Sequence, residues 1–579
     1  MVGTVFGTGF VFGMRFRSHT TSLWIILWLG LISGCSTLDV KQHYAQHTPE
    51  QNLTADYYQI DIPSHDGITL KATLYQPALA PGETAPLIIH AHGFGVFRMP
   101  RPMSVYGQLV LSGEAALKAW ESGRYWLISF DQRGFGDSEG DVEIMSVDHE
   151  VKDVSAIIDW AEASLPQLAR DEDNDIVVGM VGESYGGGAQ LLASIFDERI
   201  DAIVPITTWH NLAEALAPNG HVRTAWGGML LSAGTFSSFF DFGKAYASPY
   251  LDMFNGKMNV AAEIELERRS PSSYCANGQY PQADMLLVQG FRDTVFPVNH
   301  AYQNWLCGRR GGVDARLVAI QGGHILPWPI QSWSGIPFYN TEDRIRCGEY
   351  EASAVDMILS FLDEKLRGES TGKAGMSVPR LCLTVPEGQG LVAGDMITGG
   401  DNAMMDDTGL SLIHSGWFEV VMQPVDRMLS LLWRRDNTGA DFDDVTGGNF
   451  RPAFRPLRQV SEPTQLVGIP RIRINMETTD EDQESVVFVG VGVRRQGQRN
   501  VELVSEQLTP LPGDGRYDIP LAAVSTRLGP GDQVGLVMQG FSGQFFFNPE
   551  GWFESATLSG EVALPLDHAA RAFSVADHH

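Results

Sequence analysis

Basic residues are in short supply in this chain. Lys and Arg number 41 against 70 Asp and Glu, a formal charge of −29. No basic stripe exists to neutralise phosphates, so nucleic-acid binding is excluded. The acidity reads as a solvated surface that favours solubility. Cysteine is also scarce, at five in 579 residues. None forms a Cys-x-x-Cys pair and no His-Glu-x-x-His occurs, so no metal site is indicated. The apolar run Leu23–Ile32 covers about ten residues, too short to span a bilayer. No repeat of fixed period is present. What remains is a globular composition, 44% hydrophobic and 19% charged, in a chain long enough for two or three domains.

The N-terminus reads as a targeting segment. Arg15 and Arg17 precede the apolar run, and Ser33-Gly34-Cys35 follows it. Ile-Ser-Gly-Cys resembles the bacterial lipobox, which implies cleavage before Cys35 and lipidation of its thiol. Ser36 after the cysteine implies release to the outer membrane or a periplasm-facing site; plain secretion is the alternative. Met14 would give a more ordinary start than Met1. Residues 1–35 are thus a signal peptide and 36–57 a tether. The other cysteines are Cys275, Cys307, Cys347 and Cys382. In an oxidising compartment they allow three pairings. Cys307–Cys347 is our working choice, with buried free thiols the alternative.

One stretch organises the rest. Val177 to Gly188 reads VVGMVGESYGGG and runs into the helix-like AQLLASIFDE. Strand, sharp turn with a serine at its apex, helix: this is the form of a nucleophile elbow. The strained turn needs tiny neighbours, and Gly182 and Gly186 supply them on either side of Ser184. A serine hydroxyl needs a base within reach, and the base an orienting acid. In α/β-hydrolases the order is Ser, Asp/Glu, His, each after a strand. Asp293 follows the strand MLLVQG, and His324 follows LVAIQGG. His210 also follows a strand but precedes the acid, so we read it with Trp209 as lining the substrate pocket. The oxyanion needs two donors. The Tyr185 N–H is one, and the loop His92-Gly93-Phe94-Gly95 supplies the other as the Phe94 N–H.

Around this stretch, strands and helices alternate as a parallel sheet requires. A hairpin turns at His65-Asp66-Gly67; APLIIHA and YWLISF are strands; helices are expected near 113–122, 148–163 and 351–366. In DQRGFGDSEG, residues 131–140, Asp131 and Arg133 are expected to pair. Residues 210–278 break the rhythm with aromatic-rich helices and read as a cap over the site. The catalytic domain spans 58–367, and 368–377 is a linker. From 378 to 570 helical patterns vanish and short alternating runs imply an all-β sandwich or jelly roll.

Gly-x-Ser-Tyr-x-Gly at 182–187, DQRGFGDSEG, the cap ending RRSPSSY and the Gly-x-x-Asp ahead of the histidine together resemble one family. It is that of X-Pro dipeptidyl-peptidases, cocaine esterase and related acylases. The resemblance implies an α/β-hydrolase with a helical cap, followed by a C-terminal jelly roll that packs on the catalytic domain. Members often place a tyrosine in the oxyanion hole from an Asn-Pro-Tyr-like segment. Here that segment reads HAHGFGVFR, the lipase-like form. The expected function is hydrolysis of a small-molecule ester or amide, or of a peptide, through an acyl-enzyme, without a cofactor. An esterase or acylase is the first reading. An X-Pro dipeptidyl-peptidase-like aminopeptidase is the second, and a surface binding protein with a vestigial hydrolase the third. Membrane contact is expected through the lipid anchor alone.

Overall fold

The computed structural model describes residues 44–567, apart from 105–106, 109, 238–255, 325–344, 370–375, 387–388, 413–444, 447–452, 480–484, 541, 543 and 546–553. The signal segment, Cys35 and part of the cap fall outside the described residues.

A mixed sheet of 12 strands runs through the catalytic half. Strands β1 (Asp56–Pro63) and β2 (Thr69–Gln76) form the expected hairpin. Gly67 takes a left-handed φ of 91° at its turn, which a side chain would resist. Then come β3 (Leu87–Ala91), β4 (Trp126–Phe130), β5 (Val178–Glu183), β6 (Ile200–Ile206), β7 (Asp284–Gly290) and β8 (Ala315–Ile320). The spatial order is β1-β2-β4-β3-β5-β6-β7-β8, with β3 to β8 parallel. β3, β4, β5 and β8 are buried throughout, as strands covered on both faces must be.

Two cores follow from the alternation of side chains. Leu87, Ile89 and Ala91 join the face packed by helices Glu150–Ser164, Tyr185–Phe196 and Val298–Gly311. Ile88 joins the opposite face, under helices Leu111–Glu121 and Ala354–Arg367. The last helix begins at Ala354, a turn later than its periodicity implies, because Tyr350–Ala352 pairs as a strand instead.

The sheet also extends past β8. Strand β9 (Ile345–Cys347), β10 (Tyr350–Ala352), β11 (Leu381–Thr384) and β12 (Gln389–Val392) continue it in the order β11-β12-β9-β10. The segment after the linker therefore adds two strands to the large sheet before the separate β sheets begin. Those sheets are mainly antiparallel. Arg471–Thr478 pairs with Gly515–Pro520 and Glu554–Leu564, and Val486–Arg494 pairs with Gln533–Gln539. Ile472, Ile474 and Met476 point into their core, while Arg473, Asn475 and Glu477 face solvent. The architecture is an α/β-hydrolase with a helical cap and a C-terminal β domain.

The disulfides correct our working pairing. Cys275 bonds Cys307, and Cys347 bonds Cys382. The reason is topological. The return leg of the cap, Pro271–Ala276, docks on helix Val298–Gly311. Cys347 and Cys382 lie in β9 and β11 of the extension, which the alternation of local patterns does not reveal. Among the described residues no helix is long and apolar enough to cross a membrane.

Candidate active site

Ser184 sits between β5 and helix Tyr185–Phe196 at φ 53°, ψ −114°, a strained conformation for a side-chain-bearing residue. A Cβ on Gly182 or Gly186 would run into the carbonyl oxygen of Ala91. Glycine at both positions is thus required by β3 passing alongside. The turn is pinned by backbone: the Ser184 N–H donates to Ile206 O at 2.9 Å, and the Thr208 hydroxyl donates to Ser184 O at 2.8 Å. Glu183 stands opposite Ile206 in the β5–β6 register, so Ser184 and Thr207 leave the sheet side by side.

Asp293 and His324 meet. Asp293 is fully buried, and one of its oxygens, Oδ2, accepts from His324 Nδ1, from the Thr207 hydroxyl and from Gln289 Nε2 at 3.0 Å. The other, Oδ1, accepts the N–H groups of Val295 (3.0 Å) and Phe296 (2.9 Å). Five donors therefore fix this carboxylate. The loops bearing acid and histidine touch through glycine. A Cβ on Gly290 would strike Gly322 O, and one on Gly323 would stand 2.6 Å from Arg292 O. The rings of Trp226 and Phe296 face His324 edge-on, at 5.6 and 5.2 Å between centroids. Trp226 belongs to the cap helix Thr224–Ser237 and is held by an indole N–H donated to Thr294 Oγ1 at 3.1 Å.

The loop after β3 lies over the elbow. His92 donates from Nδ1 to Gly93 O at 2.7 Å, since a carbonyl can only accept, and Nε2 accepts the Gln132 N–H at 3.0 Å. Burial keeps this imidazole's pKa low. Gly93 N–H donates to Glu183 Oε1 at 3.1 Å, so it is committed to the residue before Ser184. The Phe94 ring wedges edge-on between Phe135 and Tyr185. Gly95, at φ 78°, lies so close to the cap that a Cβ would be 2.6 Å from that of Ala233. The Tyr185 hydroxyl is turned away from the elbow: it accepts the Met145 N–H at 2.8 Å and donates to Glu150 Oε1 at 3.1 Å. A side-chain oxyanion donor from Tyr185 is thereby excluded, while its N–H opens the elbow helix.

Two buried acids flank the site. Burial pushes Glu183 up to about 8 and Glu150 up to about 7, against smaller lowering by backbone donors. Glu183 also accepts the Ser112 hydroxyl.

Trp209 and His210, the residues expected to line the substrate pocket, both make side-chain hydrogen bonds. Trp209 is 2% exposed. Its indole donates to Arg269 O at 3.1 Å and packs against Tyr185 and Phe296, so it braces the elbow. His210 is tied to Asn304 Oδ1 through Nδ1 at 2.8 Å, and burial lowers its pKa to about 4. Asp131 and Arg133 do not pair. Asp131 binds Arg98, whereas Arg133 bridges Asp153 at 2.7 Å and Asp66 at 2.5 Å. The reversal of chain direction in DQRGFG points the two side chains to different neighbours. Thr207 and Gln289 escaped sequence reading; their one signal is position, at or just past a strand end beside the candidate residues. His65, Asp66 and His149 bring three ligand-type atoms within 4.8 Å. Asp66 is already neutralised by Arg133, which disfavours a cation there.

Residues 66–326 match the sequence profile of the X-Pro dipeptidyl-peptidases, the S15 family. The matched stretch takes in Ser184, Asp293 and His324 and is similar to that family over less than half of the chain. The whole fold is shared more widely. An aminopeptidase from a marine sediment archaeon, Thaumarchaeota archaeon, superposes over 92% of this chain and 99% of its own, with a TM-score of 0.57 and 14% identity. A CocE/NonD family hydrolase from Staphylococcus aureus covers 91% of this chain and 100% of its own, at 0.59 and 11%. An α-amino acid ester hydrolase covers 92% and 100%, at 0.59 and 13%. Identities this low speak for the fold alone. Among curated proteins, the quorum-quenching protein AidA of Acinetobacter baumannii (strain MDR-ZJ06) is 29% identical over 163 residues, 28% of this chain and 47% of AidA. An uncharacterised 31.7 kDa protein of Escherichia coli is 31% identical over 120 residues, 21% of this chain and 36% of its own. The chain thus spans less than half the length of these curated relatives.

Proposed function

We propose that this S15-type hydrolase is an esterase or acylase working through Ser184, His324 and Asp293. Ser184 Oγ attacks an ester or amide carbonyl while His324 Nε2 takes its proton. Asp293 holds the imidazole in the Nδ1–H tautomer and stabilises the imidazolium. The N–H groups of Phe94 and Tyr185 receive the oxyanion. His324 returns the proton to the leaving group, and water attacks the acyl-enzyme by the reverse route. The observation that carries this reading is the Asp293–His324 hydrogen bond beside the strained Ser184. The S15 profile favours a second reading, an aminopeptidase that removes Xaa-Pro dipeptides. A panel of p-nitrophenyl esters against Xaa-Pro-p-nitroanilides separates the two. Turnover of the anilides alone overturns the esterase. A folded chain whose Ser184 resists a fluorophosphonate overturns both, and leaves the β domain as a binding module beside a vestigial hydrolase.

We also propose export and lipid anchoring through Cys35. Two disulfides in the catalytic half support an oxidising compartment. Replacement of Cys35 by Ser should move the protein from the membrane fraction to the soluble one; unchanged fractionation overturns the anchor.

A further inference from the structure

The loop that carries Asp293 is gripped from the far end of the chain. Gln507 follows the short 3-10 turn Val504–Glu506 of the β domain and is buried, at 2% exposure. Its Nε2 donates to the carbonyls of Phe291 and Asp293, both at 2.8 Å. Carbonyls only accept, so the amide must present its NH2 group to them. Among the described residues its Oε1 then meets no donor. That orphaned acceptor is a cost the fold carries in order to keep both donated bonds.

The backbone leading to Gln507 carries a cost of its own. Ser505 and Glu506 take left-handed φ values of 56° and 58°, and neither is glycine. Each such residue is strained, and strain of this kind persists where the surroundings over-determine it. Here the surroundings are the acid loop. The Glu506 carboxylate pairs with Arg292, the residue between the two gripped carbonyls. Its backbone carbonyl accepts Gln544 Nε2 at 3.1 Å, and Gln544 Oε1 accepts from Arg223 of the cap at 2.9 Å.

The two gripped carbonyls fix the peptide planes on either side of Arg292-Asp293, and so the direction in which the Asp293 side chain leaves the backbone. We infer that Gln507 is a positioning residue for the Asp293 carboxylate, and that the β domain completes the catalytic site from outside the hydrolase fold. The inference rests on the reading of Asp293 as the acid of the triad.

The test uses the full chain with p-nitrophenyl butyrate and a fluorophosphonate as probes. Gln507→Met keeps the shape of the side chain and removes both donors. Its kcat, and its rate of fluorophosphonate labelling, should fall about tenfold, the scale of one or two lost hydrogen bonds, with KM within twofold. Its acid limb should move to lower pH, because an imidazolium with a displaced carboxylate gives up its proton sooner. Gln507→Asn keeps the amide one methylene short and should fall between Gln507→Met and the native chain; it serves if the first variant does not fold. Asn299→Ala breaks a different contact of the same interface, to Leu521 O and the Ala523 N–H. It should lower Tm without moving the limb. Native kcat and an unmoved limb in a folded Gln507 variant overturn the inference. An Asp293→Asn chain that labels as fast as native overturns the triad reading instead, and with it any need to position that residue.

Discussion

Thr207 and His324 share one oxygen of one carboxylate. Both donate to Asp293 Oδ2, and their own polar atoms stand 3.3 Å apart. Thr207 follows β6 directly and adopts a left-handed φ of 49°, unusual for a β-branched residue. This conformation turns its hydroxyl toward the acid in the loop after β7, while its successor, Thr208, bonds the elbow carbonyl.

Thr207→Val tests this link. The isosteric change keeps shape and strain and deletes the donor. Asp293 keeps four donors, so folding should survive, with a loss of about 1 kcal/mol in urea denaturation. The activity cost should be larger in kcat than in KM, about tenfold, because the carboxylate is freer to rotate away from the imidazole. A variant with unchanged kcat would show that Gln289 and the loop N–H groups suffice.

Gly188 bears on the elbow from its other side. A Cβ there would land inside the indole of Trp209, and that indole is tethered by its N–H to Arg269 O. Gly188→Ala should therefore destabilise by about 1–3 kcal/mol through overpacking, although alanine favours helices. Trp209→Phe removes the fused ring and should recover part of that loss in the double variant. Additive losses in the double-mutant cycle would place the strain elsewhere.

The local part of this site was legible in the sequence because each component has a local cause. Gly182 and Gly186 are small where β3 passes, and Gly290 and Gly323 are small where two loops touch. Patterns of strand followed by glycine therefore led to Ser184, Asp293 and His324. Pairings set by distant topology were not legible. Arg133 reaches back to Asp66 and Asp153, Gln507 reaches from the β domain, and β11 and β12 add to a sheet that periodicity had assigned to neither.

The two disulfides predict a redox dependence. Their closed loops, with separations of 32 and 35 residues, correspond to about 3–4 kcal/mol each in the chain-entropy view. Cys275 is the most exposed of the four, at 7%, and its bond ties the end of the cap to helix Val298–Gly311. Removing it as a Cys275→Ser, Cys307→Ser pair should lower Tm and raise KM, since the cap return is loosened. The Cys347–Cys382 bond joins β9 to β11 in the sheet extension, and its double serine variant should lower Tm with KM unchanged. Equal effects of the two pairs on KM would contradict this division.

Glu183 makes stability fall with rising pH, and the sign follows from its environment. Burial raises its pKa from the ordinary 4.5 to about 8. Below 4.5 both folded and unfolded chains hold the proton, so nothing is lost. Between 4.5 and 8 the folded chain holds a proton that the unfolded chain has released, and stability declines by up to about 1.4 kcal/mol per pH unit. Above 8 the loss is complete. Glu150, raised to about 7, acts in the same direction over a narrower range. Glu183→Gln removes the larger part. Its amide oxygen can still accept the Gly93 N–H, and its NH2 can donate to Ser112, so the loop over the elbow keeps its anchor. Urea midpoints measured at pH 6 and pH 9 should drop steeply for the native chain and less for the variant, with ester turnover at pH 7 within a few fold. Parallel slopes would mean that Glu183 is ionised in the folded chain throughout, held by donors stronger than the burial that opposes them.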